Sequence, residues 1–571
     1  MVDEMGLSVA QRLSIVSGPA LADEPGLGPL TLPGFLRDVA QMYGDREALV
    51  WRTVDGVTRW TYAQLWDRAI EVARALRACG LGKDARVGVL MTNRPEWLAA
   101  VFGTALAGGV AVTLSTFSTP PELDYLLRAS AVSVLLFERS VLTKDFAAIL
   151  GELEPAIGPS QAGSLESAKY PFLRRLALIG EPVPGIEAWA EFLANGHQEP
   201  REPVEATAAA VLPSDAAVLF FSSGSTSNPK GILSAHRGVC IQLWRFRRMY
   251  GFGPDDHIRG WAANGFFWSG NFAMVLGSTL ASGGSLVLQS TFDAAEALEL
   301  MQTERVNFPF AWPHQWAQLQ GAPNWGRVDL SSVKFADFKT PIAHHPTVSS
   351  EWYEPGHAYG NTETFTITTG YPANTPPEVH ADSFGVALPG VTLKITDPLT
   401  GHIIPRGEAG EISVKGPTLM LGYIGTPLDE TLDSEGFFPT GDGGYLDDTG
   451  RLYWQGRLTE IIKTGGANVS PREVDEALMA HSGVKVAQTV GAPHQTLGEV
   501  VVACVVPHHD VILDAEQLLA FLRQRLASYK VPRHVLFFCE DDVALTGNAK
   551  IKAGALRELA AKRLAEKGGL Q

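Results

Sequence analysis

Apolar residues over 62–79 recur at the three-and-four spacing of one helix face, whereas Arg86-Val-Gly-Val-Leu-Met91 is a short apolar strand. Asn93-Arg-Pro-Glu96 then reads as a turn and helix start. Val110-Ala-Val-Thr-Leu and Val132-Ser-Val-Leu-Leu-Phe are further strand patterns, and Pro120-Pro-Glu-Leu opens a helix between them. Strand–helix–strand order with uniformly apolar strands predicts a parallel sheet covered on both faces. Residues 97–114 carry no charge and approach the length of a membrane span. Gly108-Gly109 divides them into a helix-like half and a β-branched half, so a buried helix running into a buried strand is expected.

Residues 151–210 collect Pro, Gly, Ser and Ala and read as connectors around one short strand, Leu176-Ala-Leu-Ile. Apolar character returns at Val218-Leu-Phe-Phe. From about 383 to 453 short strands alternate with turns, as in Gly410-Glu-Ile-Ser-Val-Lys-Gly, which suggests a small barrel-like β unit. A polar crossing bounded by Gly456 and Gly465 leads to a helix over 471–481, strands over 484–490 and 499–506, a helix over 515–527 and a basic tail. The fold class expected is α/β. A large N-terminal domain (1–457) combines parallel-sheet α/β subdomains with the β unit, and a small, mobile α+β domain spans 458–571.

Composition narrows the picture. A chain of 571 residues with 45% apolar and 19% charged positions buries several cores and is not disordered. Lys+Arg 46 against Asp+Glu 62 gives −16, which argues against nucleic acid as the main partner while leaving anionic small ligands open. Cys79, Cys240, Cys504 and Cys539 match no metal motif and no disulfide framework, and the N-terminus has no apolar signal core. A cytoplasmic protein without a membrane span is therefore expected.

The most informative stretch is Ser222-Ser-Gly-Ser-Thr-Ser-Asn-Pro-Lys-Gly231. Small residues let backbone approach an anion, hydroxyl and N–H groups bond its oxygens, and Lys230 adds charge. The nucleotide-triphosphatase P-loop ends differently, in Gly-Lys-Ser/Thr. Ser222, Ser223, Gly224, Ser225, Thr226 and Lys230 closely resemble the phosphate-binding signature of the adenylate-forming superfamily, which includes acyl-CoA synthetases, adenylation domains of peptide synthetases and luciferases. Tyr359-Gly-Asn-Thr-Glu363, Thr440-Gly-Asp442, Gly456-Arg457 with Ile462-Lys463 and Gly465-Gly466, Tyr529-Lys-Val-Pro-Arg533 and Thr546-Gly-Asn-Ala-Lys550 resemble its later motifs, in its order.

The resemblance implies that a carboxylate attacks the α-phosphate of ATP, giving an acyl-adenylate and pyrophosphate, and that the thiol of coenzyme A then takes the acyl group and AMP leaves. Lys550 is implied as the adenylation lysine, whose cation bridges two anions. Glu363 is implied as the Mg²⁺ ligand, with Thr362 on a phosphate oxygen and Tyr359, Gly360 and Asn361 in the nucleotide pocket, Tyr359 on adenine. Asp442 offers two acceptors to the ribose diol, Arg457 reaches ribose or phosphate from the interdomain side, and Lys463, a further nucleotide-binding residue, faces the active site from the small domain. The pivot falls on Thr459, two residues after the motif arginine, and Gly465 and Gly466 leave room for the pantetheine arm of CoA.

Three departures stand out. Ser227 replaces a glycine of the phosphate loop, Phe338 and Lys339 stand where glycines usually line the adenine pocket, and Ala549 replaces the glycine before Lys550. The first two are expected to weigh on the ATP half-reaction. Trp261, Phe266, Phe267, Trp268 and Trp312 suit an apolar or ring-containing acid. Four readings remain open: an acyl-CoA ligase, an enzyme mainly performing the thioester step from preformed acyl-adenylate, an adenylating enzyme that loads a carrier protein, and a non-catalytic nucleotide- or acyl-binding protein. Homodimerisation stays open as well.

Overall fold

The computed structural model describes residues 12–222, 229–253, 255–354, 358–464, 467–494, 497–509, 511–526, 530–539 and 553–566. The described chain forms two compact units. One comprises Ser17–Thr392 with Val414–Phe438. The other comprises the described parts of Met1–Val16, Leu393–Ser413 and Pro439–Gln571.

The larger unit contains two predominantly parallel sheets. The first has the order Glu187–Ala188, Arg175–Ile179, Val134–Glu138, Arg86–Leu90, Val110–Thr113, Ala216–Ser222, Lys230–Ala235 and Gly422–Tyr423. Its first six strands run parallel and the last two antiparallel. The second has the order Phe308–Phe310, Arg259–Ala262, Ser285–Leu288, Glu47–Thr53 and Gly56–Thr61, parallel except for the hairpin of the last two.

The uncharged stretch at 97–114 resolves as expected. Helix Pro95–Leu106 is buried on nearly every side, and Val110–Thr113 is a fully buried central strand. No helix among the described residues is long and apolar enough to cross a membrane. Helix Tyr62–Ala78 starts with a reciprocal cap: the Gln64 N–H donates to Thr61 Oγ1, and the Thr61 N–H donates to Gln64 Oε1. It packs so closely on Pro95–Leu106 that a Cβ on Gly103 would lie 2.7 Å from Val72 Cβ.

The connector reading of 151–210 needs correction. Besides Arg175–Ile179, this region carries helices Trp189–Ala194 and Arg201–Ala210. The Ala-rich run over 206–210 favours helix, and Pro203 sits in the first turn, where its missing N–H costs nothing.

Short strands read from about 383 onward join Ile15–Ser17 in a five-stranded sheet, most of whose residues belong to the smaller unit: Ile15–Ser17, Thr392–Thr396, Gly410–Lys415, Phe438–Leu446 and Leu452–Arg457. Further on, Val484–His494 and Gly498–Pro507 make a long antiparallel hairpin buried on both faces. Val500, Val502, Cys504 and Val506 point to a core with Leu556, Ala560 and Leu564 of helix Ala553–Glu566. Val501, Ala503 and Val505 point the other way, onto Val474, Leu478, Leu518 and Leu522. The period-two alternation of one strand thus feeds two cores. Cys79, Cys240 and Cys504 are free thiols.

Candidate active site

The phosphate-signature segment begins at the end of one strand and closes at the start of its antiparallel partner. Ala216–Ser222 and Lys230–Ala235 pair antiparallel, with Ser222 directly opposite Lys230. Residues 223–228, and with them Ser223, Gly224, Ser225, Thr226 and Ser227, lie outside the described residues. Strand Ala216–Ser222 also pairs in parallel with Val110–Thr113. The segment therefore leaves the sheet at the carboxyl ends of its parallel strands, where open α/β sheets bind ligands.

Lys230 is exposed, and its Nζ lies 4.8 Å from the ring centroid of Tyr423 on the edge strand Gly422–Tyr423. The Tyr423 hydroxyl donates to Glu363 Oε1 at 2.7 Å. The backbone N–H of Met420 donates to the Glu363 carbonyl, also at 2.7 Å. The implied phosphate lysine and the implied metal ligand are thus brought together on one aromatic residue. No motif reading singled out Tyr423.

Glu363 is half-buried at the tip of a strained turn. Strand Tyr359–Asn361 pairs antiparallel with Thr366–Gly370. A Cβ on Gly360 would fall 1.8 Å from the Thr366 carbonyl oxygen, so the close pairing demands glycine. The Asn361 N–H donates to Thr364 Oγ1 at 3.1 Å, and the Thr364 N–H donates to Asn361 Oδ1 at 3.0 Å. Phe365 and Thr366 then adopt φ of +45° and +82°, values that side-chain-bearing residues avoid. The buried Phe365 ring holds this geometry against Phe220 and Phe272, with centroids 5.7 and 6.0 Å away. Tyr359 is buried, while Thr362 is half-buried beside Glu363.

The segment at 337–354 forms its own polar turn. Both Asp337 carboxylate oxygens are used, accepting from the N–H groups of Lys339 at 2.7 Å and Glu354 at 2.9 Å. Phe338 stands half exposed, edge-on to Tyr353, with the Lys339 ammonium over its ring. The Glu354 carboxyl is enclosed, although the residue as a whole keeps partial exposure. Burial, reinforced by the negative charge of Asp337, pushes it up to about 7. Tyr250 OH lies 3.5 Å from Glu354 Oε1.

The aromatic residues do not form one group. Trp261 is fully buried and donates from its indole N–H to Gln289 Oε1. It packs in a core with Trp316. Phe266 is buried against Trp97. Phe267 and Trp268 meet at 5.0 Å and share a face with Phe117, a residue the motif reading passed over. Trp312 is 43% exposed and touches Phe310 edge-on.

In the smaller unit, Asp442 and Arg457 are cross-strand partners of the hairpin formed by Phe438–Leu446 and Leu452–Arg457. Asp442 is 3% exposed, and its Oδ1 lies 3.2 Å from Arg457 Nε. Arg457 also donates to the Thr440 carbonyl at 2.6 Å. Asp442 is thereby oriented by a cation rather than hanging in a glycine turn. Thr459 lies exposed in the turn at 458–460, just beyond this hairpin. Lys463 is exposed on strand Ile462–Thr464, and its N–H donates to Glu499 Oε2. Gly465, Gly466 and Lys550 lie outside the described residues, as do Tyr529 and Ala549. Among the described residues no group of three or more His, Cys, Asp and Glu side chains could hold a metal ion.

The hairpin at 216–235, the strained turn at 359–366 and the Asp442–Arg457 hairpin each fall on a stretch that carries one of the sequence motifs. The chain belongs to the AMP-binding enzyme family, whose model matches residues 36–424, and the model of the AMP-binding enzyme C-terminal domain matches residues 473–550. It is 30% identical over 549 residues, covering 93% of this chain and 99% of the relative, to a 3-[(3aS,4S,7aS)-7a-methyl-1,5-dioxo-octahydro-1H-inden-4-yl]propanoyl:CoA ligase of Rhodococcus jostii (strain RHA1). It is 32% identical over 510 residues, 88% of this chain and 94% of the relative, to a feruloyl-CoA synthase of an Amycolatopsis species. Among solved structures it is similar to ATP-bound MatB from Rhodopseudomonas palustris, with a TM-score of 0.72, 25% identity, and 93% and 99% of the two chains covered.

Proposed function

We propose that this chain is an AMP-forming acid–thiol ligase that activates a ring-bearing carboxylic acid and transfers its acyl group to coenzyme A. The carrying observation is that Lys230 and Glu363 meet on Tyr423, beside the loop at the carboxyl edge of the parallel strands. A carboxylate oxygen bonds to the α-phosphorus of ATP while the bond to pyrophosphate breaks. The CoA sulfur then bonds to the acyl carbon and AMP departs.

The first step brings two anions together, so fixed positive charge and alignment carry it. Lys230 holds phosphate oxygens, with Ser222, Ser223, Gly224, Ser225 and Thr226 around them. Thr362 donates to a phosphate oxygen, Tyr359 lies on adenine, and Asp442, held by Arg457, accepts from the ribose hydroxyls. Glu363 would hold Mg²⁺, which when bound offsets negative charge on the phosphates. Lys550 bridges carboxylate and phosphate in the adenylation step. We further propose that 458–571 swings about Thr459 between the two steps, bringing Lys463, Gly465 and Gly466 to the thiol. The free thiols of Cys79, Cys240 and Cys504 suit a reducing cytoplasm. The ring-bearing acid is supported by the Phe117, Phe267 and Trp268 face and by two relatives named for ring-containing acyl groups.

The test is pyrophosphate release from ATP across aryl, alicyclic and straight-chain acids, with and without CoA. Acid-dependent pyrophosphate release and CoA-dependent thioester formation are expected, strongest with ring-bearing acids. Pyrophosphate release without thioester formation would point instead to loading of another thiol. Thioester formation only from supplied acyl-adenylate would point to an enzyme of the second step.

A further inference from the structure

The loop following the central strand Val110–Thr113 carries a feature that the motifs do not explain. The Lys144 ammonium donates to three consecutive carbonyls of this loop: Thr116 at 3.1 Å, Phe117 at 2.8 Å and Ser118 at 2.9 Å. All three of its protons are thus spent on one short stretch of backbone. Lys144 is itself held by the two-residue ladder of Lys144–Asp145 with Ser140–Val141. Its Nζ lies 5.9 Å from the Phe146 ring centroid, and burial lowers its proton affinity. Within the loop the Phe117 N–H donates to Ser115 Oγ, and the Ser118 N–H donates to the Ser115 carbonyl.

Such a grip fixes the one large side chain the loop presents. Thr116 and Ser118 are buried, whereas the Phe117 ring is 50% exposed. That ring lies nearly parallel to Trp268, at 16° and a centroid distance of 6.0 Å. Phe267 stands across both, at 71° to Phe117 and 66° to Trp268. The opposite side is held by side-chain amides. The Asn93 side chain bonds the Asn264 carbonyl and the Phe266 N–H, and Asn264 and Gln315 exchange two amide hydrogen bonds, while the Thr113 hydroxyl lies 3.3 Å from both the Leu219 and the Phe267 carbonyls. The result is an aromatic wall in which Phe117 and Trp268 stack and Phe267 stands edge-on to both, at the carboxyl edge from which the 216–235 hairpin also leaves the sheet.

We propose that Phe117 is a specificity-determining residue which, held by Lys144 and joined to Trp268, selects flat, aryl-bearing acids over straight-chain ones. The inference rests on the ligase reading above. Two near-parallel ring faces reward a planar partner by offset stacking, which a flexible alkyl chain does not reproduce at equal contact area. Lys144 is a positioning residue: it touches no substrate and acts by holding the Phe117 backbone.

The test uses the full-length enzyme with cinnamate and hexanoate. Phe117→Ala and the bulkier, ringless Phe117→Leu should each lower the ratio of kcat/KM for cinnamate to kcat/KM for hexanoate by about tenfold, chiefly through KM for cinnamate. Lys144→Met should move the ratio in the same direction by about threefold, and Lys144→Arg should restore part of it. A purely structural role would lower kcat/KM for both acids and for ATP together, leaving the ratio in place. Calorimetric titration with cinnamate separates this inference from the ligase reading. Phe117-dependent cinnamate binding in a protein that releases no pyrophosphate would sink the ligase reading and keep the wall. Equal cinnamate affinity in parent and Phe117→Leu, or a ratio that stays within twofold of the parent in both Phe117 variants, would overturn the proposal.

Discussion

Replacing Glu354 with Gln should make the protein more stable at alkaline pH and nearly neutral in effect at acid pH. Burial and the charge of Asp337 raise the folded-state pKa of Glu354 from 4.5 to about 7. Below about pH 4.5 the carboxyl is protonated both in the fold and in the unfolded chain, and no penalty arises. As pH rises through 7 the unfolded chain has already released its proton, and the fold must ionise an enclosed group. At about 1.4 kcal/mol per tenfold change in proton affinity, the full penalty above pH 7 is about 3 kcal/mol. Partial exposure of the residue trims this, so about 1–2 kcal/mol is the expected gain for Glu354→Gln at pH 8. Urea unfolding of parent and variant at pH 4.5, 6 and 8 reads it directly. Taking the difference between the two proteins at each pH cancels titrating groups that are not coupled to Glu354, such as Asp475, which burial also pushes up to about 7. A difference that is flat with pH, or that favours the parent at pH 8, would refute the reasoning.

Tyr423→Phe keeps the ring beneath Lys230 but removes the hydroxyl bonded to Glu363; kcat/KM for ATP should fall about tenfold and the Mg²⁺ requirement should shift upward in a coupled pyrophosphate assay. Gly360→Ala should destabilise the larger unit by about 2 kcal/mol or more, seen as a lowered melting midpoint, because its methyl meets the Thr366 carbonyl. Lys550→Ala should slow pyrophosphate release about 10²–10³-fold while sparing thioester formation from supplied acyl-adenylate; equal slowing of both would reject its assignment to the first step. Ser227→Gly should raise the rate from ATP without changing the rate from acyl-adenylate, if Ser227 crowds the pyrophosphate.

Much of the fold is legible in the sequence because largely apolar runs such as 87–91 and 110–114 leave a strand no polar face, and that calls for a covered parallel sheet. Helices were missed where composition masked them, as at Arg201–Ala210, which buries only Val204 and so shows little apolar periodicity. Within the site, contiguous motifs such as Tyr359-Gly-Asn-Thr-Glu363 could be read directly. Tyr423 and Phe117 could not. Tyr423 acts on a carboxylate 60 positions away, and Phe117 gains its meaning from Trp268 and from a lysine 27 residues later. Such partners are set by strand order and loop closure, which leave no local spacing to find.

The place of Tyr423 has a consequence for engineering across relatives. It belongs to an edge strand of only two residues, Gly422–Tyr423, and yet touches both the lysine that closes the phosphate hairpin and the acidic end of the strained turn. Moving either motif into another scaffold by its own boundaries would leave this connecting ring behind. A graft that carries the short edge strand along with the two motifs transplants the site as one unit, and one that omits it delivers the right residues without the contact that relates them.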